Sequence, residues 1–423
     1  MSFDIALSGI QAINQSLDVT SHNIANAGTY GYKANRANFA TLVAGNQLTG
    51  VQVGSVTQNI SKSGSILNTG RTLDASISGR GFFVTRGDDN SLQYTRVGIF
   101  DSSLDGYLVD ASGRRVQGRA MTPPSTDLGA EGDLKIPNGA IPPQVTTSAA
   151  YVGSLSSDWK IVSGFPGPDP VTPDTPPDAA TYNMSKVTNV YDTLGKQHSL
   201  TQYFSLTGTG TVVVNYALDG NAVGDSMQLN FDTKTSQLIP DDPNVSTKIT
   251  KPLDLSGVDT TDANLWPNFA SGAKLAPTLT IDYTGTSFAS GEPSTATNTP
   301  TDGYSAGTFS GVSIGNDGSV IAKYSNGLTQ TVGKVVLATF ANEGGLTQIS
   351  DTSWLASAES GVANTDVAGV GNNGKINVST LEQSNVDITS ELVGLMTSQR
   401  NYQANSKVIQ TESTMLQSLM QAI

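Results

Sequence analysis

The chain reads as a multidomain protein in which paired N- and C-terminal α-helices form a coiled-coil-like inner domain, with two predominantly antiparallel β domains nested between them. Three observations predict this class. Apolar stripes in alternating steps of three and four occupy both ends, short alternating segments bounded by turn formers fill the interior, and 423 residues are too many for one enlarged core.

The front stripe is Phe3, Ala6, Ile10, Ile13, Leu17, Thr20, Ile24 and Ala27. The back stripe is Ile388, Leu392, Leu395, Gln399, Tyr402, Ser406, Ile409, Ser413, Leu416, Met420 and Ile423. This spacing places each set on one side of a helix. The flanking faces are paved with Asn, Gln, Ser and Thr. No charge lies between Ile5 and Leu17, and the 38 positions from Val386 to Ile423 hold only Asp387, Glu391, Arg400, Lys407 and Glu412. Such faces gain little from surface ion pairs, yet they can enter a crowded interface without stranding charge away from water. The expectation is burial by other copies of the molecule, and the alternative is a private pair within one chain. Polar Gln399, Ser406 and Ser413 weaken a simple two-helix core and favour assembly.

Residues 1–32 and 386–423 thus form the terminal helical assembly domain, with Gly28 as the C-cap of the first helix. Residues 33–72 and 360–385 read as an extended connector, the first part carried by Val51, Val53, Val56 and Ile60. Residues 73–150 with 331–359 form the first β domain. Strand-like alternation at 76–84, 92–100 and 106–110 is separated there by Asp88-Asp89-Asn90, Asp105-Gly106 and Ser112-Gly113. Residues 151–330 form the outer β domain. Pro166, Pro168, Pro170, Pro173, Pro176 and Pro177 mark an exposed loop in it, and the Ser/Thr/Gly-rich tract 284–311 reads as a long surface excursion. The nested order brings the two ends together and makes the middle an insertion.

The formal net charge of −13 and the lack of a basic tract argue against nucleic acid as partner. There is no cysteine, hence neither a disulfide framework nor a thiolate metal site. The N-terminal segment lacks the basic start and continuous apolar run of a secretory signal, and no segment is apolar enough to insert in a membrane. The two histidines, His22 and His198, stand apart from any zinc or phosphate motif, so no catalytic, metal or cofactor site is expected. Asp101, Asp105 and Asp110 lack EF-hand spacing and read as turn residues. Tyr30, Tyr32 and Lys33, two aromatics and a cation just after a helix end, are expected to wedge between neighbouring copies. With Ile10, Ile13, Leu17, Ile24, Leu392, Leu395, Tyr402, Ile409, Leu416 and Met420 they make up the candidate assembly residues.

Several strings carry a family resemblance. They are Ala25-Asn26-Ala27-Gly28-Thr29-Tyr30-Gly31-Tyr32-Lys33, Thr95-Arg96-Val97-Gly98-Ile99-Phe100, Leu381-Glu382-Gln383-Ser384-Asn385-Val386-Asp387 and Gln399-Arg400-Asn401-Tyr402-Gln403-Ala404-Asn405. In this order they resemble the flagellar rod and hook axial proteins of bacteria over nearly the whole chain. The large middle insertion, opening at Val190-Tyr191-Asp192-Thr193-Leu194-Gly195 with His198, is similar to that of the hook members. Glu343 stands where the family commonly has proline, which puts the local turn in question.

The resemblance implies a subunit exported without a cleaved signal through the flagellar export apparatus. Outside the cell, under a hook cap, it stacks into a curved hollow tube that acts as a universal joint between rod and filament. Implied partners are further copies in open helical symmetry and the distal rod and hook-filament junction proteins at the ends. Bending would reside in weak outer contacts and in connectors 33–75 and 360–385. The alternatives are a distal rod subunit and a non-flagellar surface fibre or adhesin subunit.

Overall fold

A computed structural model of the chain describes residues 2–44, 47–121, 127–162, 177–240, 249–258, 269, 272–295 and 301–421. The chain forms two compact units, one of Met1–Asn138, Ser310–Lys323 and Thr329–Ile423, the other of Gly139–Phe309 and Tyr324–Leu328. The second unit therefore takes in 139–150, assigned from sequence to the first β domain. Residues 310–323, assigned to the outer one, belong to the first unit instead. The reason is pairing: Ser148–Ala150 runs beside Thr278–Asp282, whereas Ser319–Tyr324 is laddered to Thr329–Thr339.

In the first unit, helix α1 (Ser2–Ala25) and helix α2 (Ile388–Gln421) contain 24 and 34 residues. At 1.5 Å per residue these measure about 36 Å and about 51 Å. Asp387 starts α2 as an N-cap, its Oδ1 accepting from the amides of Thr389 and Ser390 at 2.9 and 3.1 Å. After α1 the left-handed residue is Gly31, with φ 67°, rather than the expected Gly28. The stretch read as an extended connector doubles back as a hairpin of β1 (Asn35–Ala44) and β2 (Gln47–Gln58), from Asn35 opposite Gln58 to Ala44 opposite Gln47. Two further short ladders join the chain passes, Ile66–Asn68 with Thr380–Glu382 and Ala75–Ser78 with Lys375–Val378.

The β scaffold of this unit is antiparallel throughout its described pairings. Thr329–Thr339 is its spine, pairing along its length with Ser319–Tyr324, Arg115–Met121, Phe82–Arg86 and Asn364–Val367. The core is aromatic: Phe82 meets Trp354 edge to face at 5.4 Å, and Tyr94 meets Phe340 at 4.8 Å. Asp110 accepts from the amides of Ser112 and Arg114 and pairs with Arg114 Nε at 2.7 Å, so it is a turn residue. The turn at Glu343 forms a short 3-10 segment, Glu343–Gly345, whose buried carboxylate pairs with Arg80 at 3.0 Å.

The second unit holds a four-stranded antiparallel meander, Met184–Tyr191, Gln197–Gly208, Thr211–Leu218 and Asn221–Asn230. Its alternating apolar residues, with Tyr151, Leu253, Ile281 and Tyr283, form the core. The buried hydroxyls of Tyr216 and Tyr283 lie 2.7 Å apart, and the latter donates to Gln202 Oε1 at 2.8 Å. Residues 286–289 of the tract 284–311 are not a surface excursion. Ser287–Ala289 lies parallel to Gly153–Ser156, and Thr286 and Phe288 are buried, because Phe288 stacks on Phe231 at 5.3 Å and supplies the core contact that composition concealed. Of the proline-rich loop, all prolines but Pro177 lie outside the described residues.

Candidate assembly interface

Helix α1 pairs with α2 inside the chain, and the pairing is antiparallel. Asn23 Nδ2 donates to Glu391 Oε1 at 3.0 Å, while a Cβ on Gly9 would stand 2.9 Å from Asn405 Nδ2, so contacts advance along α1 as they retreat along α2. The other flank of α1 packs on the β1–β2 hairpin, where Ser8 Oγ accepts from the Val51 amide at 3.2 Å.

The covered face of α1 follows the predicted stripe, widened by Gly9, Ala12 and Asn23, whereas that of α2 is rotated from it. On α1 the buried positions are Ala6, Gly9, Ala12, Ile13, Thr20 and Asn23, with Ile10, Leu17 and Ile24 half-buried beside them. The face is widened because α1 is approached from two sides, and Gly9 in particular leaves room for Asn405. On α2 the half-covered positions are Glu391, Gly394, Leu395, Ser398, Asn405, Ser406, Ile409 and Glu412. Leu395 and Ile409 thus lie on the seam, whereas Leu392, Tyr402, Leu416 and Met420 are exposed. So are Val393, Met396, Val408, Met415 and Leu419, and no residue of α2 is buried. Residues 413–421 run past Ser2, the first described residue of α1, since the register that sets Asn23 by Glu391 and Gly9 by Asn405 sets Ser2 near Glu412.

The cluster Tyr30, Tyr32, Lys33 divides. Tyr30 is half-exposed and lines a cavity of about 350 Å³ with Asn26, Thr29, Val97 and Arg114. Tyr32 and Lys33 are buried in their own chain, which corrects the expectation that they wedge between copies. Tyr32 donates to Asn23 Oδ1 at 3.2 Å, and Lys33 Nζ is 2.7 Å from Glu382 Oε1. Both are drawn inward because the first turn after α1 runs beside residues 382–385: the Gly31 amide donates to the Glu382 carbonyl at 2.8 Å.

Two residues central to this junction were not singled out from the sequence. Asn23 Oδ1 accepts from the Asn35 amide at 2.9 Å and its Nδ2 donates to the Asn35 carbonyl at 2.8 Å, so one side chain ties α1, β1 and α2 together. Asn385 Oδ1 accepts from the Ala34 amide at 2.7 Å, and its Nδ2 donates to the carbonyls of Asn59 and Lys62 at 2.8 and 2.9 Å. Asn385 lies in a string quoted above for the resemblance. The available signal was a short amide near a helix end, which also describes many surface residues.

The candidate residues hold apolar area and hydrogen bonds. Among the described residues no group of three or more His, Asp or Glu is placed to hold a metal ion, and no helix is long and apolar enough to cross a membrane.

Comparison with known proteins adds to this geometry. Four family profiles match in chain order. They are flagella basal body rod protein at residues 3–33, flagellar hook protein FlgE/F/G D1 domain at 76–149, flagellar basal body protein FlaE D2 domain at 163–304, and flagellar basal body rod FlgEFG protein C-terminal at 378–422. The chain is 33% identical to flagellar hook protein FlgE of Escherichia coli K12, covering 99% of each. It is 34% identical to FlgE of Salmonella typhimurium, again over 99% of each, and 30% identical to FlgE of Treponema pallidum, over 98% of this chain and 97% of the relative. The crystal structure of Helicobacter pylori flagellar hook protein FlgE2 superposes with a TM-score of 0.50 at 14% identity. It covers 75% of this chain and 99% of that one, a likeness of fold.

Proposed function

The chain belongs to the flagellar hook protein family, and from that membership we propose that it polymerises through its terminal helix pair into the hook, a curved hollow tube that transmits torque from rod to filament. It is a structural subunit. Its partners are further copies of itself, the distal rod and hook-filament junction proteins at the ends of the tube, and the hook cap and export apparatus during assembly. Its place is outside the cell. The D2-domain match at 163–304, with relatives named as hook proteins aligned over nearly their full length, favours hook over distal rod.

One observation carries the assembly role of the helices. Although α1 covers one side of α2, the longer helix keeps Leu392, Val393, Met396, Val408, Met415, Leu416, Leu419 and Met420 exposed, with hardly any charge between them. An apolar surface of this extent is characteristic of an interaction site. A heterologous contact that does not close on itself propagates as an open helix, the symmetry a tube requires. The candidate residues Ile10, Ile13, Leu17, Ile24, Leu395 and Ile409 then hold the pair, while Tyr30, Leu392, Tyr402, Leu416 and Met420 meet neighbours.

The test is Leu392→Asp and Leu416→Asp in the full chain, each placing a carboxylate where a neighbour would bury it. Circular dichroism of the soluble subunit should be unchanged, and electron micrographs should show loss of tubes. Normal tubes from both variants would refute this use of α2.

A further inference from the structure

Three of the strings that carried the family resemblance converge on one buried charge cluster. Lys33 follows α1, Glu382 precedes α2, and Arg96 belongs to the β scaffold of the same unit. Their side chains are 0%, 1% and 2% exposed. Glu382 Oε1 accepts from Lys33 Nζ at 2.7 Å and from the Gly64 amide at 3.0 Å, and Oε2 lies 3.5 Å from Arg96 Nη1. Lys33 Nζ also donates to the Lys62 carbonyl at 2.8 Å. The Arg96 guanidinium lies over the Phe82 ring, 5.3 Å from its centroid, and its Nε has no hydrogen-bond partner among the described residues. Glu343 contributes a second negative charge to the surroundings of both cations.

Two cations thus share one carboxylate out of contact with water. Burial pulls Lys33 and Arg96 below their ordinary pKa values while Glu382 pushes them back. Buried pairs of this kind add little net stability over an apolar replacement, but they are unforgiving of displacement, because a charge that moves away from its partner is left desolvated. The backbone around them is laced as tightly. Gly31 donates to Glu382, Gln383 donates to Ser65 at 2.8 Å, and Thr380–Glu382 is laddered to Ile66–Asn68. Connectors 33–75 and 360–385, expected to flex, are therefore pinned at the point where both helices depart.

Resting on the hook reading, we infer that Lys33, Glu382 and Arg96 are positioning residues of the torque path: they fix the direction in which the helix pair leaves its own β scaffold, so that twist entering one is carried into the other. Because the carboxylate is shared, the three do not count equally. Loss of Glu382 strands two cations, whereas loss of Lys33 leaves a neutral Arg96–Glu382 pair.

The absence of cysteine allows clean double labelling. Asp88→Cys on the scaffold and Gln403→Cys on α2, both exposed, carry spin labels for distance measurement in the full chain. The background chain should give one narrow distribution. Glu382→Gln should broaden it at least twofold, Glu382→Asp partially, and Lys33→Met least, and Lys33→Met added to Glu382→Gln should broaden it no further. Tubes of the Glu382→Gln chain should bend with a severalfold shorter persistence length in micrographs. An unchanged width in Glu382→Gln overturns the inference, as does a Lys33→Met effect equal to or larger than that of Glu382→Asp. That second comparison decides the matter if Glu382→Gln does not fold. Failure of the unsubstituted chain to form tubes would sink the hook reading instead, leaving the label widths to judge the joint.

Discussion

At Gly64 the chain passes residues 383–384 so closely that a Cβ would run into the Gln383 carbonyl oxygen, and the bare amide there donates to Glu382. Gly64→Ala must force the backbones apart, at a cost of about 1–3 kcal/mol. Gly132→Ala, where a Cβ would meet nothing within 4 Å, should leave stability near its starting value. Urea unfolding of the full chain checks both, and equal midpoints would mean the connector passes are not held this tightly. In the second unit His198 sits between two carboxylates, Nδ1 2.7 Å from Asp219 Oδ2 and Nε2 3.3 Å from Asp192 Oδ2, with the ring stacked on Phe269. Burial pushes the Asp219 carboxyl up, but hydrogen bonds to His198 and to the Ser199 amide and hydroxyl outweigh it and hold the carboxyl below its ordinary value. A depressed carboxylate contributes stability above the unfolded value, about 3.9, which is lost as pH falls through the folded one. Thermal melts between pH 5 and pH 3 should therefore show a falling transition that is shallower in His198→Ala. An equally steep fall in that variant would place the acid sensitivity elsewhere.

At the scale of elements, the two helices differ in what they have to pack against. Helix α1 is flanked by α2 and by the β1–β2 hairpin, with Ala6, Gly9 and Ala12 among its buried positions, whereas α2 is touched on one side only. A helix with little tertiary support is marginal in water, and its free end frays first. In a dilute monomer, amide exchange should be fastest at residues 413–421, slower at 391–412, and strongly slowed in both after polymerisation. Uniform protection of α2 in the monomer would mean that the exposed face needs no neighbour. Periodicity located both helices, and the short alternating runs at 76–84, 92–100 and 106–110 located the strands Ala75–Ser78, Phe82–Arg86, Leu92–Thr95 and Leu108–Asp110, because each signal is local. The rotation of the seam toward Gly394, Ser398 and Asn405 was not legible, since close approach selects small residues that hydrophobic patterning ignores.

For the molecule as a whole, the charge is set against the assembly it serves. A net charge of −13 makes copies repel, while the surfaces offered for contact at the ends are nearly uncharged. Added salt should therefore screen the repulsion without weakening the contacts. The critical concentration for tube formation, followed by sedimentation, should fall from low salt to about 0.15 M, where the Debye length is about 8 Å. It should fall further in sulfate, which strengthens apolar burial. A rise with salt would show that ion pairs, rather than apolar area, hold the tube.

The sequence by itself determined the nested order, the two amphipathic ends, the antiparallel character of the interior and the membership that its ordered strings announced. These depend on period, turn chemistry and composition, which neighbours along the chain dictate. Only the tertiary structure decided that α1 and α2 run antiparallel, that Tyr32 and Lys33 turn inward, that Phe288 belongs to a core, and that Lys33, Arg96 and Glu382 share one buried site. The reason is separation along the chain. A carboxylate at 382 and cations at 33 and 96 carry no local mark of their pairing, and whether each charge is buried or solvated is settled only when distant segments close around it.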